Sequence, residues 1–285
     1  RARRRSARNV LQRALLYSVL LPLSVLYVLP FVWMISTSLK TDPQVYAIPS
    51  PWIPNPVRLL NYPEALTLVP FGRFFVNTLK YAGLSTLGTI LSCTVCAYGF
   101  SRLQWKGRDR VFFLCIATMM IPFQVRMIPL YLIFNELGWV NSYRPLVVPA
   151  FFGSAYDIFL LRQFFMTIPQ ELSDAARIDG SSELGILYRI ILPLARPALA
   201  VVALFQVMGA WNNYMGPLIY LKDMDLYPIS LGLAQLRDAS SKFYAELLWP
   251  RLMAASAATI IPIMVLYFFT QRTFIEGISI TGIKG

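Results

Sequence analysis

TIPQELSDAARIDGSSELGILYRIILPLARP, residues Thr167 to Pro197, decides how the rest of the chain is read. It stands between two long apolar segments yet carries Glu171, Asp174, Arg177, Asp179, Glu183, Arg189 and Arg196, charges that hydrocarbon does not accept unpaired. The stretch is therefore a solvent-side loop joining two membrane spans. Pro169 near its start, Glu171 in the first turn and Gly180 just past the end predict a helix of about three turns, with Leu172, Ala175 and Ala176 on one face. Leu184, Leu187, Tyr188 and Ile191 recur at i, i+3, i+4 and i+7, which predicts a second helix with a buried stripe, closed by Pro193. The small pair Ala175 and Ala176 lets the first helix press close to another protein, and Asp174 and Asp179 offer carboxylates to its cations. Candidate docking residues are thus Glu171, Asp174, Ala175, Ala176, Asp179 and Gly180.

The remaining composition sets the class. Of 285 residues, 56% are hydrophobic and 14% charged, and apolar runs near twenty residues recur, the length that crosses about 30 Å of hydrocarbon. The chain is read as an all-α polytopic membrane protein. It contains no histidine, which removes the commonest general base and metal ligand together. No catalytic set and no metal site are expected. The net charge of +12 gathers beside apolar segments rather than on one soluble face, so it marks topology and not nucleic acid. Cys93, Cys96 and Cys115 all fall in apolar segments, where they pack helices rather than hold zinc or a disulfide.

Six spans are predicted, at about 14–38, 78–100, 111–134, 145–165, 195–220 and 252–269, within a single membrane domain covering 1–285, with the loop 167–193 between spans four and five. The first apolar segment is too long for a signal-peptide core and lacks a clear cleavage site after it, so it is read as retained. A proline-rich stretch, Lys40 to Arg73, reads as an ordered external loop. Pro122 and Pro129 predict a kink in the third span. Leu221 to Trp249, mixed in charge and bearing Tyr227, Phe243, Tyr244 and Trp249, reads as a second large external loop. With both termini inside, sixteen Lys and Arg fall on the cytoplasmic side and nine outside, with Arg126 in a span, as the positive-inside rule requires.

Asp174-Ala175-Ala176, then Gly180, then Ile190-x-Leu192-Pro193 resembles the EAA signature of ABC-importer permeases, fixing seven identities across twenty positions. Asp174 stands where that family usually has Glu, one methylene shorter. Further matches run in order along nearly the whole chain: Ser36-Thr37-Ser38-Leu39-Lys40, Ala97-Tyr98 with Arg102, Ile128-Pro129-Leu130-Tyr131, Phe159 to Phe165, Trp211-Asn212 with Pro217-Leu218, and Gln271-Arg272 with Glu276-Gly277 and Lys284-Gly285. Together they resemble the carbohydrate permeases, and specifically the maltose-type second permease subunit. That resemblance implies a prokaryotic cell-membrane importer subunit whose 167–193 loop is a cytoplasmic coupling helix. It also implies a second permease subunit forming a heterodimer with this one, two cytoplasmic ATPase subunits that bind ATP and Mg, and an external solute-binding protein that meets the 221–249 loop.

The chain fits that role by what it lacks, since no GxxxxGK[ST] phosphate loop is present and ATP must be bound elsewhere. Trp211, Asn212 and Asn213 join a flat apolar ring to amide donors and acceptors, the chemistry that hydroxyl-rich sugars need, or else they pack spans together. Arg126 lies at membrane depth and is expected to pair with Asp157 of the antiparallel fourth span. An Arg126 that faces the cavity unpaired would instead suit an anionic solute such as a sugar or glycerol phosphate. An ATP-independent secondary transporter is a further alternative, though it would call for intramembrane coupling charges and inverted repeats.

Overall fold

The computed structural model describes residues 2–243 and 248–282, with side chains over 12–238 and 248–271. Among these residues every regular element is helical. Contacts divide the chain into two compact units, Arg1–Val69 with Leu233–Ile261 and Pro70–Gly232 with Pro262–Gly285. Among the described residues four helices are long and apolar enough to cross a membrane, and the number rises to six when each of two sharply bent pairs counts as one span.

In the first unit, helix α1 (Ala2–Ser38) leaves its apolar surface bare over the whole spanning window, as a helix facing lipid or another subunit must. The segment after it is ordered as predicted, and carries two short helices, α2 (Asp42–Tyr46) and α3 (Asn61–Leu68). Asn61 Nδ2 donates to the carbonyls of Ser38 and Lys40 at 2.9 and 2.8 Å, closing the end of α1. Arg251 reaches Asp42 at 3.0 Å and Glu64 at 2.9 Å, and Arg58 also holds Glu64 at 2.7 Å. Irregular backbone survives here because side chains satisfy it.

The second unit is built on α4 (Phe71–Ser101), against which α8 (Ala155–Thr167) and α12 (Arg196–Asn212) pack. Cys93, Ala97, Ala195 and Ala198 are small and fully or almost fully buried in the shared core, letting backbones approach so that Leu161, Phe165, Ile191 and Val202 interlock. The third span is α5 (Arg108–Ala117) with a 3₁₀ turn, then α6 (Phe123–Glu136). The two halves meet at 97°, far more than the expected kink, because Pro122 itself lies in extended backbone at the break and cannot continue the helical ladder.

After α7 (Arg144–Val147) and a second 3₁₀ turn, the fourth span is interrupted at Gly153, whose φ of +92° only glycine adopts readily. Helix α4 supplies the missing partners. Ser92 Oγ donates to Ala150 O at 3.0 Å, and Cys93 Sγ accepts from Ser154 N at 3.2 Å and faces Ser154 O at 3.7 Å. Backbone broken at membrane depth is thereby satisfied inside the protein.

The loop region 167–197 holds α9 (Gln170–Ile178), α10 (Glu183–Ile186), a π-turn over Leu187–Ile191 and α11 (Leu192–Leu194). The predicted stripe is corrected here. Ile186, Leu187 and Ile191 are buried, whereas Leu184 and Tyr188 are exposed. The wider π-turn shifts the register that α-helical spacing assumes.

The fifth span ends at Asn212 rather than Tyr220, since Asn213 is extended before α13 (Met215–Tyr220) begins. The 221–249 stretch is not simply a loop: it contains the whole of α14 (Ile229–Phe243), followed by α15 (Trp249–Gly282). Tyr244, Lys284 and Gly285 and the side chain of Phe243 lie outside what is described.

At the start of α14, Gly232 lies flat on the buried Phe74 ring, and a Cβ there would overlap Cδ2 of that ring. Gly232→Ala is expected to destabilise the protein by about 1–3 kcal/mol through overpacking. Thermal unfolding in detergent checks this, and an unchanged midpoint refutes it.

Candidate functional site

Helix α9 is held rigidly by the rest of its unit. Its C-terminus closes with Gly180 at φ +80°, Gly180 N donating to Arg177 O at 3.0 Å and Ser181 N to Ala176 O at 2.9 Å. This is the pair of bonds that a left-handed glycine makes past a helix end. Its N-terminus is anchored by Arg102, a buried residue just beyond α4. The guanidinium donates to Gln170 Oε1 at 2.7 Å, to Ile168 O at 2.7 Å and to Phe165 O, so it caps α8 and grips the first residue of α9 together.

A second tie crosses from α4 to α10. Glu183 accepts from Tyr98 Oη and is forked by Arg177, Nε to Oε1 at 2.7 Å and Nη2 to Oε2 at 3.2 Å. The hydrogen bonds from Arg177, then that from Tyr98, hold the Glu183 carboxyl below its ordinary range. Arg177 also bonds Asp174 at 2.7 Å.

The outward surface of α9 then follows. Ser173 and Ala176 are buried, Ala176 within the unit's own core. Ala175 is exposed, so the two alanines do not form the expected paired contact face: successive helix positions lie about 100° apart. Glu171, Asp174, Asp179 and Gly180 are exposed, and Leu172 and Ile178 bare apolar side chains beside them, Ile178 to 87%. Helix α9 is thus a knob carrying acid and apolar groups, tied at one end to α4 and α8 and at the other to α4 and α10.

The second group of candidates is less uniform. Trp211 is buried edge-on to Phe75 at 5.8 Å. Asn213 spends its amide internally, Nδ2 donating to Tyr81 Oη at 2.8 Å and Oδ1 accepting from Gly216 N at 3.1 Å, which satisfies the break between α12 and α13. Asn212 is exposed, its Nδ2 bonded to Met208 O at 2.8 Å. Asn213→Ala is accordingly expected to lower stability by about 1–3 kcal/mol with solute selectivity unchanged. Unfolding midpoint and competition uptake on one preparation check it, and a selectivity change at wild-type stability refutes it.

The proposed Arg126–Asp157 pair is not formed. Asp157 is buried and takes Gln206 Nε2 at 2.6 Å, while Arg126 is exposed on α6, with no ion pair between them. The 97° bend removes α6 from the line along which depth was counted at about 1.5 Å per residue. Among the described residues no cluster of three or more metal-ligating side chains occurs.

Residues 85–278 match the family of binding-protein-dependent transport system inner membrane components. The chain belongs to that family. Among its relatives is the arabinooligosaccharide transport permease AraQ of Halalkalibacterium halodurans, 35% identical over 241 residues, covering 81% of this chain and 84% of the relative. The trehalose/maltose permease MalG of Thermococcus litoralis is 30% identical over 281 residues, covering 97% and 99%. In fold the permease is similar to a chain of a bacterial ABC transporter involved in alginate import, with a TM-score of 0.81 at 23% identity, covering 91% of this chain and 95% of that one. The permease is therefore a multi-pass membrane subunit of an ABC importer.

Arg102, Gln170 and Tyr98 were not among the predicted site residues. The signal was present: an arginine ending a span, opposite a loop whose first helix begins with an amide.

Proposed function

We propose that the permease forms half of a translocation pathway for a sugar or oligosaccharide, delivered by an external solute-binding protein and driven by two cytoplasmic ATPase subunits. A second permease, a different chain, completes the pathway, and both termini face the cytoplasm. The observation that carries the reading is the acid and apolar knob of α9, clamped by Arg102 and Glu183, in a chain whose relatives are named for arabinooligosaccharide and trehalose/maltose transport. ATP and Mg bind the ATPase subunits, since the chain has no GxxxxGK[ST] loop to cradle phosphates. An anionic solute is not favoured by the names of these relatives. Reconstitution with co-purified partners tests the whole: ATP-dependent uptake of an oligosaccharide supports it, and uptake driven by an ion gradient without ATP overturns it.

Within this reading, α9 docks through its exposed acids. Asp174→Lys is expected to weaken ATPase-subunit binding roughly tenfold or more, since a contact becomes a repulsion. Arg177 keeps its bonds to Glu183 in this variant, so local order remains. Titration of the ATPase subunit onto the purified permease checks it, and unchanged affinity removes Asp174 from the docking surface.

A further inference from the structure

At the start of α12, on the side of α4 away from α8's break, an apolar groove of about 300 Å³ runs between α4, the π-turn and α12. Leu91, Val95, Leu187, Leu192 and Leu199 form its walls. Two polar groups interrupt them. Thr94 is 4% exposed, and its Oγ1 has no hydrogen-bond partner among the described residues. Arg196 lines the groove and is exposed, with no ion pair or hydrogen bond among the described residues. A stranded hydroxyl in an apolar wall and an uncompensated guanidinium beside it call for a ligand that is apolar along most of its length and anionic at one end.

The dimensions select among such ligands. Helix α12 has 17 residues, about 26 Å at 1.5 Å per residue, close to the hydrocarbon thickness of about 30 Å, so Arg196 at its first position sits at headgroup level. The exposed Tyr188 ring beside Arg196 suits the interface between headgroup and chain.

We propose that this groove is a binding site for an anionic phospholipid, with one acyl chain along the leucine walls, the phosphate on Arg196 and an ester carbonyl accepting from Thr94. The π-turn builds the site by turning Leu187 inward and Tyr188 outward on neighbouring positions.

The test is native mass spectrometry of the purified full chain in mild detergent, titrated separately with phosphatidylglycerol, phosphatidylcholine of the same chains, and chain-free glycerophosphoglycerol. Phosphatidylglycerol is expected to bind at least about fivefold more tightly than phosphatidylcholine, and Arg196→Gln to erase that preference. Leu91→Trp, at a half-exposed wall position that tolerates bulk without disturbing the core, is expected to lose both lipids, and Thr94→Val to weaken both. Equal affinity for the two lipids, or an Arg196→Gln chain that keeps its preference, overturns the assignment. Binding of glycerophosphoglycerol as tight as that of the whole lipid overturns it as well, leaving an anion site without a chain.

Discussion

Uptake is expected to fall to background when Gly180 is replaced by proline, while the permease still inserts into the membrane. Gly180 sits at φ +80°, and the pyrrolidine ring fixes φ near −65°, so the turn after α9 cannot form. The substitution also deletes the N–H that bonds Arg177 O at 3.0 Å. A Cβ at this position meets nothing within 4 Å, so Gly180→Ala carries only the strain of a left-handed residue, roughly 1–2 kcal/mol, and is expected to retain most uptake. The contrast separates backbone direction from steric fit. Uptake in proteoliposomes, with co-purified subunits quantified on the same sample, measures it, and normal uptake by the proline variant removes the turn from the coupling path.

Arg102→Leu is expected to be the most destabilising single change in this region. It strands the buried carbonyls of Phe165 and Ile168, each worth about 1–3 kcal/mol when left unpaired, and releases the exposed amide oxygen of Gln170. Removing a buried charge returns part of its desolvation, so the net loss is about 3 kcal/mol. Arg102→Lys keeps the charge but cannot fork to three acceptors, and falls between the two. Tryptophan-fluorescence melting in detergent reads the stability, and limited proteolysis within 167–182 reads the release of α9. Wild-type stability and an uncut loop in the leucine variant would show that α9 holds its place without the anchor.

Much of this was legible in the chain. Helix α9 runs over Gln170–Ile178 where Pro169 and Gly180 bracket it, because both residues act through backbone geometry that needs no tertiary context. Spans one, two and six begin or end within a few residues of the apolar runs, since hydrocarbon imposes length directly. What sequence could not supply was angle. Pro122 announced a bend, but its 97° depends on what α6 packs against. Without that angle, counting depth along Arg126 and Asp157 led to a pair that does not exist. The π-turn was likewise invisible, because periodicity assumes the spacing that the turn alters, and it exchanged Tyr188 for Ile186 in the core. At Asn213 composition allowed either a sugar contact or a structural bond, and only the Tyr81 hydroxyl and Gly216 N–H assign its amide to the break in the helix.

The interruption of the fourth span at Gly153 bears on how this protein can be labelled. Its three cysteines are all reduced, and a cysteine-free background for spin or fluorophore attachment replaces each of them. Cys96 and Cys115 can become alanine, since neither sulfur bonds backbone among the described residues. Cys93 is different, because its sulfur takes the Ser154 N–H at 3.2 Å and faces Ser154 O at 3.7 Å, completing a backbone that has left its helical ladder. Serine can serve both roles with its hydroxyl, whereas alanine leaves two main-chain groups stranded in a water-free interior. A probe experiment on an all-alanine background would report the movements of a fourth span that had already lost its seam.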